Sequence, residues 1–203
     1  MTLTVQAQVV NILDDKPKQQ DKFLVDTNVW LLYYPRSSIP AYSATIKSHQ
    51  DCKYTPYIKK ALYAMSSLLY CGLSLAEIAH VIEKQEREVF SPTLNPKEYR
   101  YNYPAERDKV VRQVQRTWNY IKRTGKSADI SVNQDATQDA LNRFQTQLLD
   151  GYDLFILEAM KKAGIDQIIS DDGDYVTVPG IRVFTANWGA IAAARSQSKL
   201  LLR

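Results

Sequence analysis

Cysteine and histidine are scarce in this chain of 203 residues, and each scarcity excludes a class of chemistry. The two cysteines, Cys52 and Cys71, are too few for a disulfide framework, which predicts reduced thiols and a cytoplasmic setting. The two histidines, His49 and His80, are too few and too far apart to suggest a zinc site or a serine-type triad.

Long apolar runs are also missing from the sequence. No stretch approaches the roughly 18–20 apolar residues that a membrane-spanning helix needs, so no membrane association is expected. The first 20 residues lack the basic start and the continuous apolar segment of a signal peptide. With 45% hydrophobic and 24% charged residues, the composition is that of a globular protein that can bury a full core.

The spacing of the apolar residues predicts strands that alternate with helices. Short buried strands are predicted at residues 23–26, 165–170 and 180–186, and residues 1–20 are interpreted as a mobile arm or an edge strand. Helices are predicted after Asn28 and over about residues 56–72, 73–86, 106–124, 134–148 and 152–164, with a loop or short helical pieces at 35–56. This order favours an α/β fold, a parallel sheet flanked by helices.

Positive charge is concentrated in one part of the chain. Nine basic and three acidic residues lie between Lys97 and Lys126, whereas the net charge of the whole chain is only +4. The helix predicted at 106–124 is amphipathic, with an apolar face of Val110, Val114, Trp118 and Ile121 opposite a basic face of Lys109, Arg112, Arg116 and Arg123. The basic face could follow the phosphates of a polyanion, or it could simply be solvated.

Acidic side chains occur where the predicted strands and helices meet. Asp26 ends the first strand, and Asp172 and Asp174 follow the second. Glu77 and Asp153 each lie in the first turn of a predicted helix. In parallel sheets ligands bind outside the carboxyl ends of the strands, so these acids could converge at one edge of the sheet.

A cluster of this kind would need compensation for its charge. Two carboxylates about 4 Å apart repel each other by roughly 4 kcal/mol at an effective dielectric constant near 20. Either some of the carboxyls take up protons or a hard cation lies among them. Oxygen ligands without histidine or cysteine indicate Mg²⁺ or Mn²⁺.

Each acid also has a purely structural explanation. Asp26 could cap the following helix, and Asp153 could be an acid that complements a helix dipole. Glu77 with Ser74 fits a capping box, and the sequence "DDGD" could be a polar turn.

Taken in order, the motifs "FLVDTN", "LSLAEI", "YDLFILEAMKKAGI" and "IISDDGDY", followed by "VPGIRVF", resemble the PIN-domain family of metal-dependent nucleases. That family includes the ribonuclease toxins of bacterial toxin–antitoxin pairs. A single domain is expected over residues 22–203. The arm at 1–21 and a helical insertion at about 84–130 depart from the compact members of the family and leave the subfamily and the substrate open. The resemblance implies divalent-metal-dependent endonuclease activity, usually on RNA.

The resemblance assigns roles to individual residues. It implies an acidic core of Asp26, Glu77, Asp153 and Asp172, with Asp174 as a further metal ligand. Asn28 and Ser170 are expected to orient the ligating carboxylates through hydrogen bonds. Asp171 falls outside the pattern and is expected to be a solvent-facing turn residue.

Other functions and partners remain open from the sequence. A haloacid-dehalogenase-type phosphatase also begins with an aspartate at a strand end, although it requires Asp-x-Asp where this chain has Asn28. A nucleic-acid-binding or scaffold protein of the same fold without catalysis is a further alternative. A toxin-like member could bind an inhibitor protein. The exposed apolar residues of 57–69 could form a homodimer. The connector that contains Tyr99, Tyr101 and Tyr103 is expected to be extended, and these tyrosines could stack on bases.

Overall fold

The computed structural model describes residues 3–33 and 48–203, with side chains described from Lys53 onward in the second range. Six strands form one sheet: β1 (Gln8–Asn11), β2 (Lys22–Val25), β3 (Ser67–Cys71), β4 (Lys126–Ala128), β5 (Gln167–Ile169) and β6 (Arg182–Thr185). All strand pairs are parallel, in the order β1-β6-β5-β2-β3-β4. The predicted α/β fold with a parallel sheet flanked by helices is confirmed.

Eight α-helices are described beside the sheet within these ranges. They are α1 (Thr27–Tyr33), α2 (Ser48–Tyr63), α3 (Ser74–Phe90), α4 (Pro96–Asn102), α5 (Pro104–Thr124), α6 (Gln134–Phe144), α7 (Gly151–Lys162) and α8 (Trp188–Ser196). A short 3₁₀ turn at Asp174–Thr177 follows β5. Most of the loop predicted at 35–56 lies outside the described residues, and its described end belongs to α2.

The central strands β2 and β5 are neighbours, which brings their carboxyl ends together. Leu24 pairs with Ile168, and Val25 pairs with Ile169. Phe23 and Val25 belong to one core and Leu24 to another, because successive side chains of a strand face opposite sides of the sheet. Burial on both faces explains why these strands are continuous apolar runs.

The segment before β2 contributes the edge strand of the sheet. β1 pairs with β6, with Val9 opposite Val183. Its outer side is held by the amide of Leu201, which donates to the Val9 carbonyl at 2.7 Å. Of the two interpretations of residues 1–20, the edge strand is therefore the one that the structure contains.

The prediction of a helix over residues 56–72 is wrong for the second half of this segment. α2 ends at Tyr63, Met65 has a positive φ of 58°, and Ser67–Cys71 forms β3. Parallel pairing with β2 and β4 overrides a helical spacing of apolar residues that continues through this segment. Ile58 and Ala61 are buried in the core, so only the exposed Leu62, Tyr63 and Met65 remain for the predicted dimer surface.

The connector that contains Tyr99, Tyr101 and Tyr103 is largely helical, as α4, and not extended. Asn95 caps α4 by accepting from the Glu98 amide at 2.9 Å. Tyr99 is fully buried and packs beside Phe90, so the interpretation that it stacks on bases is wrong. Tyr103 also packs against Phe90, with ring centroids 4.8 Å apart, whereas Tyr101 is exposed.

Candidate active site at the carboxyl edge of the sheet

Asp26 lies at the junction of β2 and α1. Its amide donates to the Ile169 carbonyl at 3.0 Å, which continues the strand pairing by one residue. Its carbonyl accepts from the amide of Trp30 at 3.0 Å, and its Oδ1 accepts from the amide of Thr27 at 2.6 Å. Asp26 therefore lies at the start of α1, which agrees with the capping explanation, and its side chain is also buried, with 3% exposure.

Asn28 and Ser170 both contact the Asp26 carboxylate. Asn28 Nδ2 donates to Asp26 Oδ2 at 2.7 Å, and Ser170 Oγ donates to the same oxygen at 2.6 Å. Ser170 Oγ also accepts from the amide of Asp172 at 2.9 Å, and Asn28 Oδ1 accepts from the amide of Asp171 at 3.3 Å. These contacts tie the end of β2 to the acidic loop after β5.

Asp153 is the third residue of α7 and is buried. Asp150 caps this helix, since its Oδ1 accepts from the amides of Tyr152 and Asp153 at 3.0 and 3.2 Å. Asp153 Oδ1 accepts from the hydroxyl of Tyr175 at 2.6 Å. Burial raises the pKa of Tyr175 well above its usual value, so this phenol keeps its proton and acts as a donor.

Glu77 lies in the first turn of α3, but the capping box predicted with Ser74 is not formed. Ser74 is itself helical, and the preceding residue, Leu73, makes no side-chain capping bond. Among the described residues, Glu77 Oε2 and Thr27 Oγ1 are buried atoms with no hydrogen-bond partner. The nearby Thr27 hydroxyl lowers the pKa of Glu77, although no hydrogen bond of normal geometry joins the two side chains.

The loop after β5 carries the remaining predicted acids. Asp172 is half-buried, and its Oδ1 accepts from the amide of Asp174 at 2.8 Å, while the Asp174 side chain is exposed. The interpretation of Asp171 as solvent-facing is wrong, because it is half-buried and Tyr54 donates to its Oδ1 at 2.8 Å. Asn187 donates to the Asp171 carbonyl at 2.8 Å and fixes the loop from the β6 side.

The acids from these four segments influence one another. Burial raises the pKa of Asp26 well above its usual value, and the charges of Asp153 and Glu77 raise it further. Burial raises the pKa of Asp153 to about 7, with contributions from Asp150, Asp172 and Glu77. The pKa of Glu77 is raised by burial and then by Asp150 and Asp172. The charges of these acids therefore reach one another across the ends of β2, α3, α7 and the loop after β5.

The spacing of the acids and their chemistry give different indications about metal binding. Among the side chains described, those of residues 3–33 and 53–203, no three of histidine, cysteine, aspartate or glutamate form a group that could hold a metal ion. Asp26 and Asp153 instead accept hydrogen bonds from Ser170 and Tyr175. The chemistry of the donors nevertheless fits a hard cation, because all are carboxylates and one buried oxygen, Glu77 Oε2, is without a partner.

Two residues of this site, Tyr175 and Asp150, were not assigned roles from the sequence. Tyr175 is the aromatic residue of the motif "DDGDY", and its position directly after the acids is the signal that could have identified it. Asp150 precedes Gly151, and an aspartate before a helix start is a signal for a capping residue.

The basic helix α5 packs against α3, and a groove of about 530 Å³ lies between them. Leu75, two residues before Glu77, lines this groove together with Lys122 of α5. Arg112, Arg116 and Arg123 are exposed as predicted, and Lys109, also exposed, donates to Glu106 at 2.6 Å.

The predicted apolar face of α5 packs against the core of the protein. Val110 and Ile121 are buried, and Val114 and Trp118 are half-buried against the same core and also line the groove. Gln113 and Thr117 are buried as well, so the buried side of the helix also contains a polar pair.

Comparisons with known proteins add no relative. No model of a known family matches the chain, and no curated protein matches it. Within the described ranges, none of the helices has the length and apolar character required to cross a membrane.

Proposed function

We propose that this protein is a divalent-metal-dependent endoribonuclease whose active site is the acidic carboxyl edge of the sheet. The observation that supports the proposal is that acids from four different segments act on one another's pKa: beyond the effect of burial, the charges of Asp153 and Glu77 raise the pKa of Asp26, and the charge of Asp172 raises the pKa of Asp153 and Glu77. These acids come from the end of β2, the first turns of α3 and α7, and the loop after β5. Structural roles such as capping do not require four separate acids to act on one another's pKa.

The four acids would hold Mg²⁺ or Mn²⁺, and Asp174, which is exposed beside Asp172, is a further candidate ligand. Such an ion, when bound, supplies an activated water and neutralises charge on the phosphodiester. The residues of the chain contribute orientation. Ser170 and Asn28 hold one oxygen of Asp26, and Asp150 holds the backbone at Asp153.

The charge of the basic helix supports a polyanionic substrate. Lys122 lines the groove between α5 and α3, and Arg112, Arg116 and Arg123 of α5 are exposed. Phosphates bound along α5 would be neutralised by these Lys and Arg side chains.

The direct test is cleavage of single-stranded RNA in Mn²⁺, in Mg²⁺ and in EDTA, by the wild-type protein and by Asp26→Asn. We expect cleavage by the wild type in either metal, no cleavage in EDTA, and a loss of at least about 100-fold in Asp26→Asn, as removal of a group that stabilises transition-state charge typically costs about 10²–10³-fold. The matched control is Asp139→Asn, which changes an exposed aspartate paired with Lys161.

Several outcomes would contradict the proposal. Equal activity in wild type and Asp26→Asn, or activity that persists in EDTA, would remove the mechanism. RNA binding without Mn²⁺ binding and without cleavage would favour a non-catalytic nucleic-acid-binding protein.

A further inference from the structure

Tyr175 is a buried tyrosine that joins two acid-bearing segments of the site. It lies in the short 3₁₀ turn at Asp174–Thr177, three residues after Asp172, and its ring is fully buried. Its hydroxyl donates to Oδ1 of Asp153, on α7, at 2.6 Å. We propose that Tyr175 is a positioning residue that fixes the Asp153 carboxylate for the cation. This inference rests on the proposed function.

The geometry around Asp153 leaves one of its oxygens available. A phenol has a single proton to donate, and it occupies Oδ1. The backbone amide of Asp153 is fixed separately by the capping Asp150, so both the main chain and one carboxylate oxygen have defined partners. The hydrogen bond therefore selects one orientation of the carboxylate and leaves Oδ2 for another ligand.

The ring behind the hydroxyl is packed in the core. Tyr175 belongs to the same buried cluster as Leu154 and Leu157 of α7, the helix that carries Asp153. The turn that precedes it is also held, because the Thr177 hydroxyl donates to the Asp174 carbonyl at 2.7 Å. Tyr175 thus sets the position of Asp153 relative to the acidic loop that contains Asp172.

The chain provides a matched control in Tyr57. This tyrosine is also buried, and its hydroxyl donates to a buried aspartate, Asp15. Asp15 shares Arg203 with Asp21, which directly precedes β2, whereas Asp26 directly follows that strand. Tyr57→Phe and Tyr175→Phe therefore remove the same type of bond at opposite ends of β2.

The experiment measures the dissociation constant for Mn²⁺ from the electron paramagnetic resonance signal of the free ion. Loss of a partner that orients a metal-ligating carboxylate typically weakens metal binding by about 10–100-fold, which is the increase expected for Tyr175→Phe. Tyr57→Phe should bind Mn²⁺ as the wild type does. A protein with 3-fluorotyrosine at position 175 keeps the donor and should also bind like the wild type, even if Tyr175→Phe folds poorly.

Each outcome decides between the inference and the proposed function. Wild-type binding in Tyr175→Phe, or equal weakening in Tyr57→Phe and Tyr175→Phe, would overturn the positioning role and leave the nuclease proposal standing. Weakened binding in the folded 3-fluorotyrosine protein would also overturn the positioning role. Absence of Mn²⁺ binding in the wild type would overturn both.

Discussion

Ser170 Oγ lies 2.6 Å from Asp26 Oδ2, although the two residues are separated by 144 positions in the sequence. The contact exists because β2 and β5 are neighbours and end at the same level, with Val25 opposite Ile169. Each residue is the first one after its strand, so a parallel pairing places a hydroxyl donor beside a carboxylate. The site therefore depends directly on the register of the two central strands.

Replacement of Ser170 by alanine should weaken both the fold and the site. The buried carboxyl of Asp26 would lose one of its donors, and a buried polar group left without a partner costs about 1–3 kcal/mol of unfolding free energy. We expect this decrease in urea denaturation and, by calorimetry, Mn²⁺ binding weakened by about 10-fold or more. Ser127→Ala, which removes an exposed hydrogen bond to Asp129, is the control. Unchanged stability and unchanged Mn²⁺ binding in Ser170→Ala would contradict the role given to this hydroxyl.

The stability of the metal-free protein should decrease as the pH rises. Burial raises the pKa of Asp153 to about 7 in the folded protein, against about 3.9 in an unfolded chain. A carboxyl whose pKa is higher in the folded state binds a proton on folding, so the folded state is favoured at low pH and loses stability between about pH 4 and 7. For Asp153 alone the decrease is roughly 4 kcal/mol at most.

Denaturation in EDTA at a series of pH values tests this expectation. Asp153→Asn should remove much of the decrease and should be more stable than the wild type above pH 7, because the asparagine carries no charge to bury. Asp139→Asn, at an exposed site, should keep the wild-type profile. A wild-type stability that increases from pH 5 to 7 would contradict the electrostatic description of the site.

A second charged cluster holds the fold at the opposite end of β2. Arg203 donates to Asp15 at 2.8 Å and to Asp21 at 2.7 Å, and both aspartates are buried. Arg203→Ala would leave two buried carboxylates without their cation, which typically costs about 3–5 kcal/mol of unfolding free energy. Urea denaturation measures this loss. Arg182→Ala, which breaks an exposed pair with Asp166, should cost at most about 1 kcal/mol, and an equal effect of the two changes would contradict this description.

The basic face of α5 should contribute to RNA binding through charge alone. Simultaneous change of Arg112, Arg116 and Arg123 to glutamine removes three exposed cations without disturbing the buried face of the helix. For single-stranded nucleic acid each phosphate contact contributes about 0.7 to the slope of log affinity against log salt, so the slope should fall by about 2.

Fluorescence anisotropy with labelled RNA at several salt concentrations measures that slope. Because cleavage would interfere, the binding is measured in EDTA. A matched variant replaces Lys59 and Lys60, which are exposed on α2, together with Lys199. If this variant lowers the slope as much as the α5 variant does, the basic helix is not a specific path for RNA.

Continuous apolar runs made the central part of the fold predictable. β2 and β5 are buried on both faces, so their sequences contain a signal that does not depend on distant residues. β3 was not predicted because Leu68 and its neighbours continue a helical spacing, and only pairing with β2 and β4 makes them a strand. β4, with three residues, is too short to give a periodic signal.

The site was partly predictable for a similar reason. Asp26 and Asp172 follow strands, and the resemblance to a known family placed Asn28 and Ser170 beside them. The Tyr175 hydrogen bond to Asp153 could not be predicted, because it depends on how the 3₁₀ turn packs against α7. The capping box at Ser74 and Glu77 matches in sequence, yet the helix begins one residue earlier than that motif requires, so the glutamate serves no cap.

The most direct test of the central claim is anomalous X-ray scattering from crystals of the wild-type protein grown with Mn²⁺. The account predicts a manganese peak at the carboxyl edge of the sheet, coordinated by Asp26, by Asp153 and by at least one of Glu77 and Asp172. A peak elsewhere, or no peak at a saturating concentration of Mn²⁺, would contradict it.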